Sequence, residues 1–263
     1  MHQSIVTEID LGIGIITLNR PERHNAFDDV LIGELSAAIE QMATDPAVRV
    51  LVISSTGKSF CAGADLNWMK RAASYSTAEN LHDSRALAEM LRRLAQCPKP
   101  TVARVQGAAY GGGVGLVACC DVAIGTFDVQ FSLTEVKLGL VPAVISPHVI
   151  AAIGERYARR YMLTAERFSA AEAYRIGLLH ELVTDVEALD EAVGEIVDAL
   201  LNNGPFALAA CKELISAVAW KPLSPEVVED TALRITRMRA SPEGREGMSA
   251  FLEKRKPNWI AQG

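Results

Sequence analysis

The chain has 263 residues and a mass of 28.3 kDa, enough to bury a sizeable core in one large domain or in a domain with a smaller appendage. Its 49% hydrophobic and 22% charged residues are typical of a folded globular protein and exclude a disordered chain. Lysine and arginine number 26 against 32 aspartate and glutamate residues, for a net charge of −6. No overall basic field exists to hold nucleic acid, so the sequence predicts no nucleic-acid partner.

Cysteine and histidine show no metal or disulfide pattern. The 5 cysteines include no CxxC pair and the 5 histidines include no HExxH motif, so we expect neither a metal site nor a disulfide framework. The opening residues lack a basic segment followed by an apolar one, and no run of about 18 apolar residues follows. These features predict a protein without a membrane segment, in a reducing, cytoplasmic compartment.

The N-terminal part of the chain alternates between short apolar strands and amphipathic helices. Apolar side chains from Leu31 to Met42 recur every three or four residues, whereas residues 50–53 form the continuous apolar run of a strand buried on both faces. In chain order we predict a strand at 14–18, a helix from 28 to before 45, a strand at 50–53, a helix at 77–96, a strand at 101–105, a short helix after 113 and a strand at 121–124. This alternation predicts an α/β fold, with ligands bound in the loops that follow the strands.

Beyond Leu178 the strands end and helices alone are predicted. Helical periodicity covers residues 187–201, 205–219, 224–239 and 242–254. The sequence Asn202-Asn203-Gly204-Pro205 is the best boundary. We therefore predict a core domain of residues 1–203 and a C-terminal helical domain of residues 204–263.

Three stretches of the core can carry chemistry, although each alone also has an ordinary structural explanation. Residues 59–66 (SFCAGADL) form a small-residue loop that opens a helix. Residues 107–115 (GAAYGGGVG) let backbone amides at a helix start approach a ligand oxygen, but they match neither the dinucleotide-binding GxGxxG motif nor a P-loop. The third stretch contains Glu135 ahead of a turn. Tight turns and a capping or solvated glutamate are the alternatives.

Taken in this order, the stretches resemble the crotonase family, also called the enoyl-CoA hydratase/isomerase superfamily. The resemblance spans nearly the whole chain. Its motifs are Asn19-Arg20-Pro21, Asn25-Ala26-Phe27, residues 60–65, Lys99-Pro100, residues 107–113, Cys120-Asp121, residues 135–139, residues 168–170, Gly177-Leu178, Glu246-Gly247-Met248 and Lys254-Arg255-Lys256-Pro257.

The resemblance implies a crotonase-type spiral of ββα repeats, followed by a C-terminal helical module that assembles a homotrimer, often paired into a hexamer. It implies an acyl-CoA substrate, so coenzyme A arrives as part of the substrate and no separate cofactor is expected. It also implies an oxyanion hole formed by the backbone N–H groups of Ala64 and Gly112. Two such amides stabilise the negative charge that develops on a thioester oxygen during proton transfer at the neighbouring carbon.

The catalytic carboxylates depart from the pattern of the family's common hydratases, which use two glutamates twenty residues apart. The second matches Glu135, but the first falls on Gly115. Family members that move a double bond work with the second glutamate alone, so a Δ3,Δ2-enoyl-CoA isomerase is the alternative to a hydratase. One carboxylate can also deprotonate water and pass a proton to the α-carbon, which keeps hydration open. A remote alternative is a non-catalytic homologue that binds RNA or protein, against which Glu135 and the acidic charge argue.

Residues 141–149 (VPAVISPHV) depart from the common hydratases as well, and place Ser146 as the N-cap of a helix. The segment resembles that of bacterial 3-methylglutaconyl-CoA hydratases of leucine breakdown and of related hydratases of acyclic terpene breakdown. Those enzymes act on branched glutaconyl thioesters that carry a second carboxylate. His148, Lys70 and Arg71 are candidate contacts for it, with a packing role as the alternative for His148.

The resemblance also implies which positions line the substrate site. These substrate-binding candidates are Arg23, Ala26, Ala62, Gly63, Asp65, Leu66, Gly111, Gly115, Pro142 and His148.

Overall fold

The computed structural model describes residues 4–260, and its strands form two sheets. The strands are β1 Ile5–Asp10, β2 Ile13–Leu18, β3 Val50–Ser55, β4 Ser59–Cys61, β5 Thr101–Val105, β6 Ala108–Tyr110, β7 Val122–Thr126, β8 Gln130–Ser132, β9 Phe168–Ser169 and β10 Glu181–Val183. The larger sheet has the order β1-β2-β3-β5-β7-β10, and the smaller has the order β4-β6-β8-β9. Among these strands, β1–β2 and β8–β9 pair antiparallel and the other pairs are parallel, which agrees with the predicted α/β class.

Helices connect and cover the strands. They are α1 Asp29–Thr44, α2 Leu66–Ala72, α3 Thr77–Ala95, α4 Gly112–Cys119, α5 Ser146–Thr164, α6 Ala170–Arg175, α7 Val186–Leu201, α8 Pro205–Val218, α9 Pro225–Ala240 and α10 Pro242–Leu252. Several begin at a side-chain cap, which satisfies amides that have no partner within the helix. Asp28 accepts from the Leu31 amide at 2.9 Å to start α1, and Ser76 forms a capping box with Glu79 to start α3.

The chain repeats a unit of two strands and a helical segment. The first strand of each unit, β3, β5 or β7, enters the larger sheet, and the second, β4, β6 or β8, enters the smaller one. The smaller sheet therefore sets the loops of successive units side by side. Cys61 pairs with Ala109, and Tyr110 pairs with Ser132. The three stretches selected from the sequence are neighbours for this reason.

The main core confirms the periodicity of the sequence. All six residues of β3 are buried, as expected for a strand covered on both faces. From α1, the side chains of Leu31, Leu35, Ile39 and Met42 are at most 2% exposed. These residues pack on the sheet and fix the place of the loop that precedes α1.

Two local predictions were wrong. A strand does follow Leu178, because β10 pairs in parallel with β7; its three residues are too few to show a period. Helix α5 begins at Ser146 with Ile145 at the N-cap. The Ser146 hydroxyl donates instead to the Ala143 carbonyl at 2.8 Å, so it does not cap the helix.

The C-terminal helices are attached to the core partly by polar contacts. Lys212 of α8 lies 2.5 Å from Asp121, and Arg49 donates to the carbonyls of Asn203 and Trp259 at 2.7 and 2.8 Å. The Lys212–Asp121 and Arg49–Trp259 contacts cross the proposed boundary between residues 203 and 204, which stays a prediction. Between residues 4 and 260, no helix combines the length and apolar character needed to cross a bilayer.

Candidate active site

Two glycine-containing loops and one carboxylate meet at the edge of the smaller sheet. A Cβ placed on Gly63 would lie 3.0 Å from the Tyr110 carbonyl oxygen and 3.8 Å from the Gly111 Cα. A Cβ placed on Gly111 would lie 3.1 Å from Oε1 of Glu135. Side chains larger than hydrogen at Gly63 and Gly111 would push these segments apart. The structure thus brings together the loops that contain Ala64 and Gly112 with Glu135.

The Ala64 amide is left free by the bonds on either side of it. Phe27 donates its N–H to the Gly63 carbonyl at 2.6 Å and accepts from the Asp65 N–H at 2.8 Å, a single parallel β-bridge between Phe27 and Ala64. Within residues 4–260, no protein acceptor is bonded to the Ala64 N–H, and Ala64 is exposed. The amide can therefore donate to a ligand oxygen.

The Asp65 carboxylate holds this loop in place. It accepts from the amides of Asn67 and Trp68 at 2.8 and 3.1 Å, and lies 3.4 Å from Arg23 and 3.8 Å from Arg20. Burial raises the pKa of Asp65, but the amides of Trp68 and Asn67 and the two arginines outweigh burial and hold the pKa below its ordinary value. Asp65 is therefore a charged helix cap, occupied by contacts within the protein.

The Gly112 amide is the first of helix α4. The preceding residue, Gly111, donates to the Ser132 carbonyl at 2.9 Å and has φ +49°, a conformation that glycine adopts readily. No protein acceptor among the described residues is bonded to the Gly112 N–H. Amides in the first turn of a helix point away from it along the positive end of the helix dipole. Gly112 thus offers a second free donor.

Glu135 begins the short 3-10 helix Glu135–Leu138 and is partly buried. Its Oε2 is shielded from solvent and has no hydrogen-bond partner among the described residues. Burial raises the pKa of Glu135, and a bond to its own backbone amide opposes this effect only partly. A buried carboxylate with a raised pKa and a free oxygen is suited to accept and return a proton.

Gly115 lies in the first turn of α4 and is covered by the side chains of Ile145 and Leu91. A Cβ on Gly115 would lie 2.4 Å from Cγ2 and 2.9 Å from Cβ of Ile145, and 3.8 Å from Cδ1 of Leu91. The two distances to Ile145 are much shorter than a normal van der Waals contact between carbon atoms, and Ile145 itself is only 3% exposed. Position 115 accordingly has no room for a carboxylate unless Ile145 moves.

The remaining candidates differ in exposure. Leu66 is 74% exposed and Ala26 is 6% exposed, Ala62 is half-buried and Pro142 is buried. His148 is half-buried near the start of α5, and burial lowers its pKa.

Two basic candidates for a substrate carboxylate stand on α2. Arg71 forms an ion pair with Asp29, whereas Lys70 is exposed. Across residues 4–260, no three His, Cys, Asp or Glu side chains group closely enough to hold a metal ion.

Phe27 and Ile145 are functional candidates that the sequence reasoning did not assign. Phe27 lies in one of the family motifs, Asn25-Ala26-Phe27, but the sequence does not show which residues its apolar side chain contacts. Ile145 lies in the unusual segment 141–149. Its packing on Gly115 depends on how α4 and α5 meet, which local sequence does not encode.

Comparison with known proteins identifies the family of the chain. The profile of the enoyl-CoA hydratase/isomerase family matches residues 8–262. The chain belongs to that family. An enoyl-CoA hydratase from Shewanella pealeana has a solved structure that superposes with a TM-score of 0.95 at 43% identity, covering 97% of this chain and 96% of that one. The predicted crotonase-type fold is thereby confirmed.

Relatives in this family are named for different reactions. Crotonyl-CoA hydratase of Syntrophomonas wolfei is 33% identical, with 99% of each chain covered. The 1,2-epoxyphenylacetyl-CoA isomerase of Escherichia coli is 31% identical, with 100% of each chain covered. The chain therefore belongs to an enzyme family that includes both hydratases and isomerases of CoA thioesters.

Proposed function

We propose that this protein adds water reversibly to the double bond of an enoyl-CoA thioester. The Ala64 and Gly112 amides bind the thioester oxygen, and Glu135 is the single side-chain acid and base. The observation that supports this proposal is the unpartnered oxygen of the Glu135 carboxylate beside the loops that carry two free amides. Coenzyme A is part of the substrate, and the reaction needs no further cofactor.

The proposed mechanism uses one carboxylate twice. Glu135 removes a proton from water as the oxygen attacks the β-carbon, and the negative charge that develops on the thioester oxygen is stabilised by the two amides. The protonated Glu135 then delivers its proton to the α-carbon. Loss of one such donor typically lowers turnover by about 10²–10³-fold. The raised pKa of Glu135 brings the acid and base forms closer in free energy near neutral pH.

We propose 3-methylglutaconyl-CoA, or a related branched glutaconyl-CoA, as the substrate. The support is the resemblance of residues 141–149. A site with one carboxylate has less chemical assistance, and binding energy from a remote substrate carboxylate can offset that loss. His148 is the proposed donor to this group, with Lys70 as an exposed alternative. Arg23, Ala26, Ala62, Gly63, Leu66, Gly111 and Pro142 remain proposed wall positions.

Isomerisation is the second candidate, and the packing of Ile145 over Gly115 favours it. Moving a double bond from the 3 to the 2 position requires removal of one proton and its return to another carbon. One base does both, and no water takes part. Glu135 and the two amides would serve that reaction without rearrangement.

An assay with three thioesters separates these functions. The enzyme is incubated with 3-methylglutaconyl-CoA, crotonyl-CoA and a 3-enoyl-CoA, and products are followed by enoyl absorbance and mass. We expect a mass gain of one water with the branched diacid and a lower kcat/KM with crotonyl-CoA. Preference for crotonyl-CoA would remove the branched-diacid substrate. Migration of the double bond in the 3-enoyl thioester without a mass change would establish the isomerase instead.

A further inference from the structure

Phe27 contacts both segments that carry the proposed oxyanion donors. It lies between the 3-10 helix Pro21–Arg23 and helix α1, and only 1% of it is exposed. Its main chain bonds to one donor loop and its ring packs on the other.

The main chain of Phe27 fixes the first donor. Its bonds to Gly63 and Asp65, at 2.6 and 2.8 Å, clamp the peptide units on either side of Ala64. In a parallel bridge the residue between two such bonds keeps its own N–H unbonded. These two bonds both hold Ala64 in place and leave its amide available.

The ring of Phe27 limits the position of the second donor. A Cβ on Gly112 would lie 2.8 Å from both Cδ2 and Cε2 of the ring, so the Gly112 Cα rests directly against it. Protein interiors are packed closely enough that such a contact fixes position rather than merely filling space. Removing the ring would let the start of α4 shift toward the vacated volume.

A buried ion pair and a buried side-chain amide hold the segment that contains Phe27. Asp28, the next residue, lies 2.7 Å from Nη1 of Arg20 and caps α1. The Asn25 amide donates to the carbonyls of Thr56 and Ser59 at 2.8 and 2.9 Å. The segment that carries Phe27 is therefore anchored on both sides and can act as a rigid spacer.

We propose that Phe27 is a positioning residue that sets the distance between the Ala64 and Gly112 donors. The proposal rests on the proposed oxyanion role of these two amides. Truncating the side chain leaves the main-chain bonds to the Ala64 loop and releases Gly112 alone. The expected effect is accordingly that of losing one donor, about a 10²-fold fall in kcat, with a change of less than about threefold in KM for a substrate bound mainly by its CoA part.

The test combines infrared spectroscopy with kinetics. Butyryl-CoA, which cannot react, is bound to each variant and its thioester C=O stretch is measured, because two aligned donors lower that frequency. We expect a lowered frequency in the wild type, and loss of most of the shift in Phe27→Ala with retained butyryl-CoA binding. Phe168→Ala is the matched control, since Phe168 is 4% exposed, stacks on Phe131 and packs at a tilt against Tyr161. It should lose similar thermal stability but keep the shift.

A compensating pair tests the ring contact directly. Gly112→Ala places its Cβ against the ring and should lower kcat at least 10-fold. The double variant Phe27→Leu/Gly112→Ala should recover at least fivefold of that loss, because the smaller side chain accepts the added methyl group.

The infrared and kinetic results distinguish a failure of the positioning role of Phe27 from a failure of the proposed hydratase function. A wild-type shift without hydration of any enoyl-CoA would overturn the hydratase alone. An unchanged shift in Phe27→Ala, with a melting temperature lowered as in Phe168→Ala, would overturn the positioning role alone. Absence of any shift in the wild type would overturn the oxyanion assignment and this proposal together.

Discussion

The carboxylate of Glu135 suits the proposed proton transfer but lowers the stability of the folded protein. Its Oε2 is buried and has no hydrogen-bond partner in the part of the chain that the structure describes, and an unsatisfied buried acceptor typically costs about 1–3 kcal/mol. Proteins retain such groups where a ligand or a reacting proton will occupy the free position. The amides of Ala64 and Gly112, the proposed oxyanion donors, also bond to no acceptor within residues 4–260. The pattern at residue scale is thus an arrangement that a bound thioester and water would complete.

Replacement of Glu135 by glutamine should lower kcat by about 10² or more, because the amide cannot exchange a proton with water or the α-carbon. Binding of butyryl-CoA should be retained within about threefold, since the substitution leaves the proposed oxyanion donors, the Ala64 and Gly112 amides, untouched. Steady-state kinetics and calorimetric titration measure the two quantities. Glu155→Gln is the control, because Glu155 is an exposed residue paired with Arg159. Near-normal turnover by Glu135→Gln would refute the assignment.

The same substitution should change stability in a pH-dependent manner. Burial raises the pKa of Glu135 in the folded protein, so the folded state holds this proton more tightly than the unfolded state does. Below the ordinary glutamate pKa of about 4.3 both states are protonated, so the ionisation of Glu135 does not affect the free energy of unfolding. As the pH rises from there through the folded-state pKa, the free energy of unfolding falls, because ionisation favours the unfolded state.

Because the pKa of Glu135 is raised by burial, Glu135→Gln should melt at a higher temperature than the wild type at pH 7.5, and the difference should shrink toward pH 4. Thermal melts across this range measure it. A wild-type protein that is the more stable of the two at neutral pH would contradict the inference.

At the scale of elements, helices α4 and α5 interlock through Gly115 and Ile145. A single Gly115→Glu substitution should not create the second carboxylate of the common hydratases, because its first carbon would meet Ile145 at 2.4 and 2.9 Å. Overpacking of this kind typically costs about 1–3 kcal/mol. We expect a lower melting temperature and no gain in crotonyl-CoA hydration. The pair Gly115→Glu/Ile145→Gly should regain stability relative to the single variant and hydrate crotonyl-CoA faster than it does.

Gly33→Glu provides the control for this prediction. Gly33 is also a helix residue, in α1, but apart from its own stretch of helix no atom of residues 4–260 lies within 4 Å of the Cβ it would gain. The same change of residue type without the clash should leave the melting temperature nearly unchanged. If Gly115→Glu alone accelerated crotonyl-CoA hydration, the steric exclusion by Ile145 would be disproved.

Long helices and strands can be predicted from the sequence, whereas short strands and contacts between distant segments cannot. Helix α1 and strand β3 were predicted because their apolar residues repeat or run continuously over enough residues to show a period. Strand β10 and the strands of the smaller sheet span two or three residues and show none. The free amides of Ala64 and Gly112 were found through the family resemblance, whereas the ring of Phe27 under Gly112 and the cover of Ile145 over Gly115 arise from contacts distant in sequence.

At the scale of the whole molecule, the C-terminal helices hold polar contacts to the core but bury little apolar surface. Helices α8 and α9 have no fully buried side chain. Exposed apolar residues of this region are Phe206, Ile215, Trp220, Leu223, Val228, Leu233, Ile235, Met248, Phe251 and Leu252. Exposed apolar side chains concentrated in one region often mark a protein–protein interface, and a symmetric assembly is the usual way to bury them.

We therefore predict an assembly with the exposed apolar side chains of α8 and α9 in its interfaces, and the family resemblance implies that it is built from trimers. The wild type should scatter light at three or six times the 28.3 kDa chain mass at micromolar concentration. The double variant Ile215→Glu/Leu233→Glu should shift toward the mass of one chain, because desolvating two carboxylates in an apolar interface costs more than the contacts return. Leu11→Glu, in the β1–β2 turn and 86% exposed in the wild type, should leave the assembly unchanged. A wild-type monomer, or a double variant that stays fully assembled, would exclude these helices as the interface.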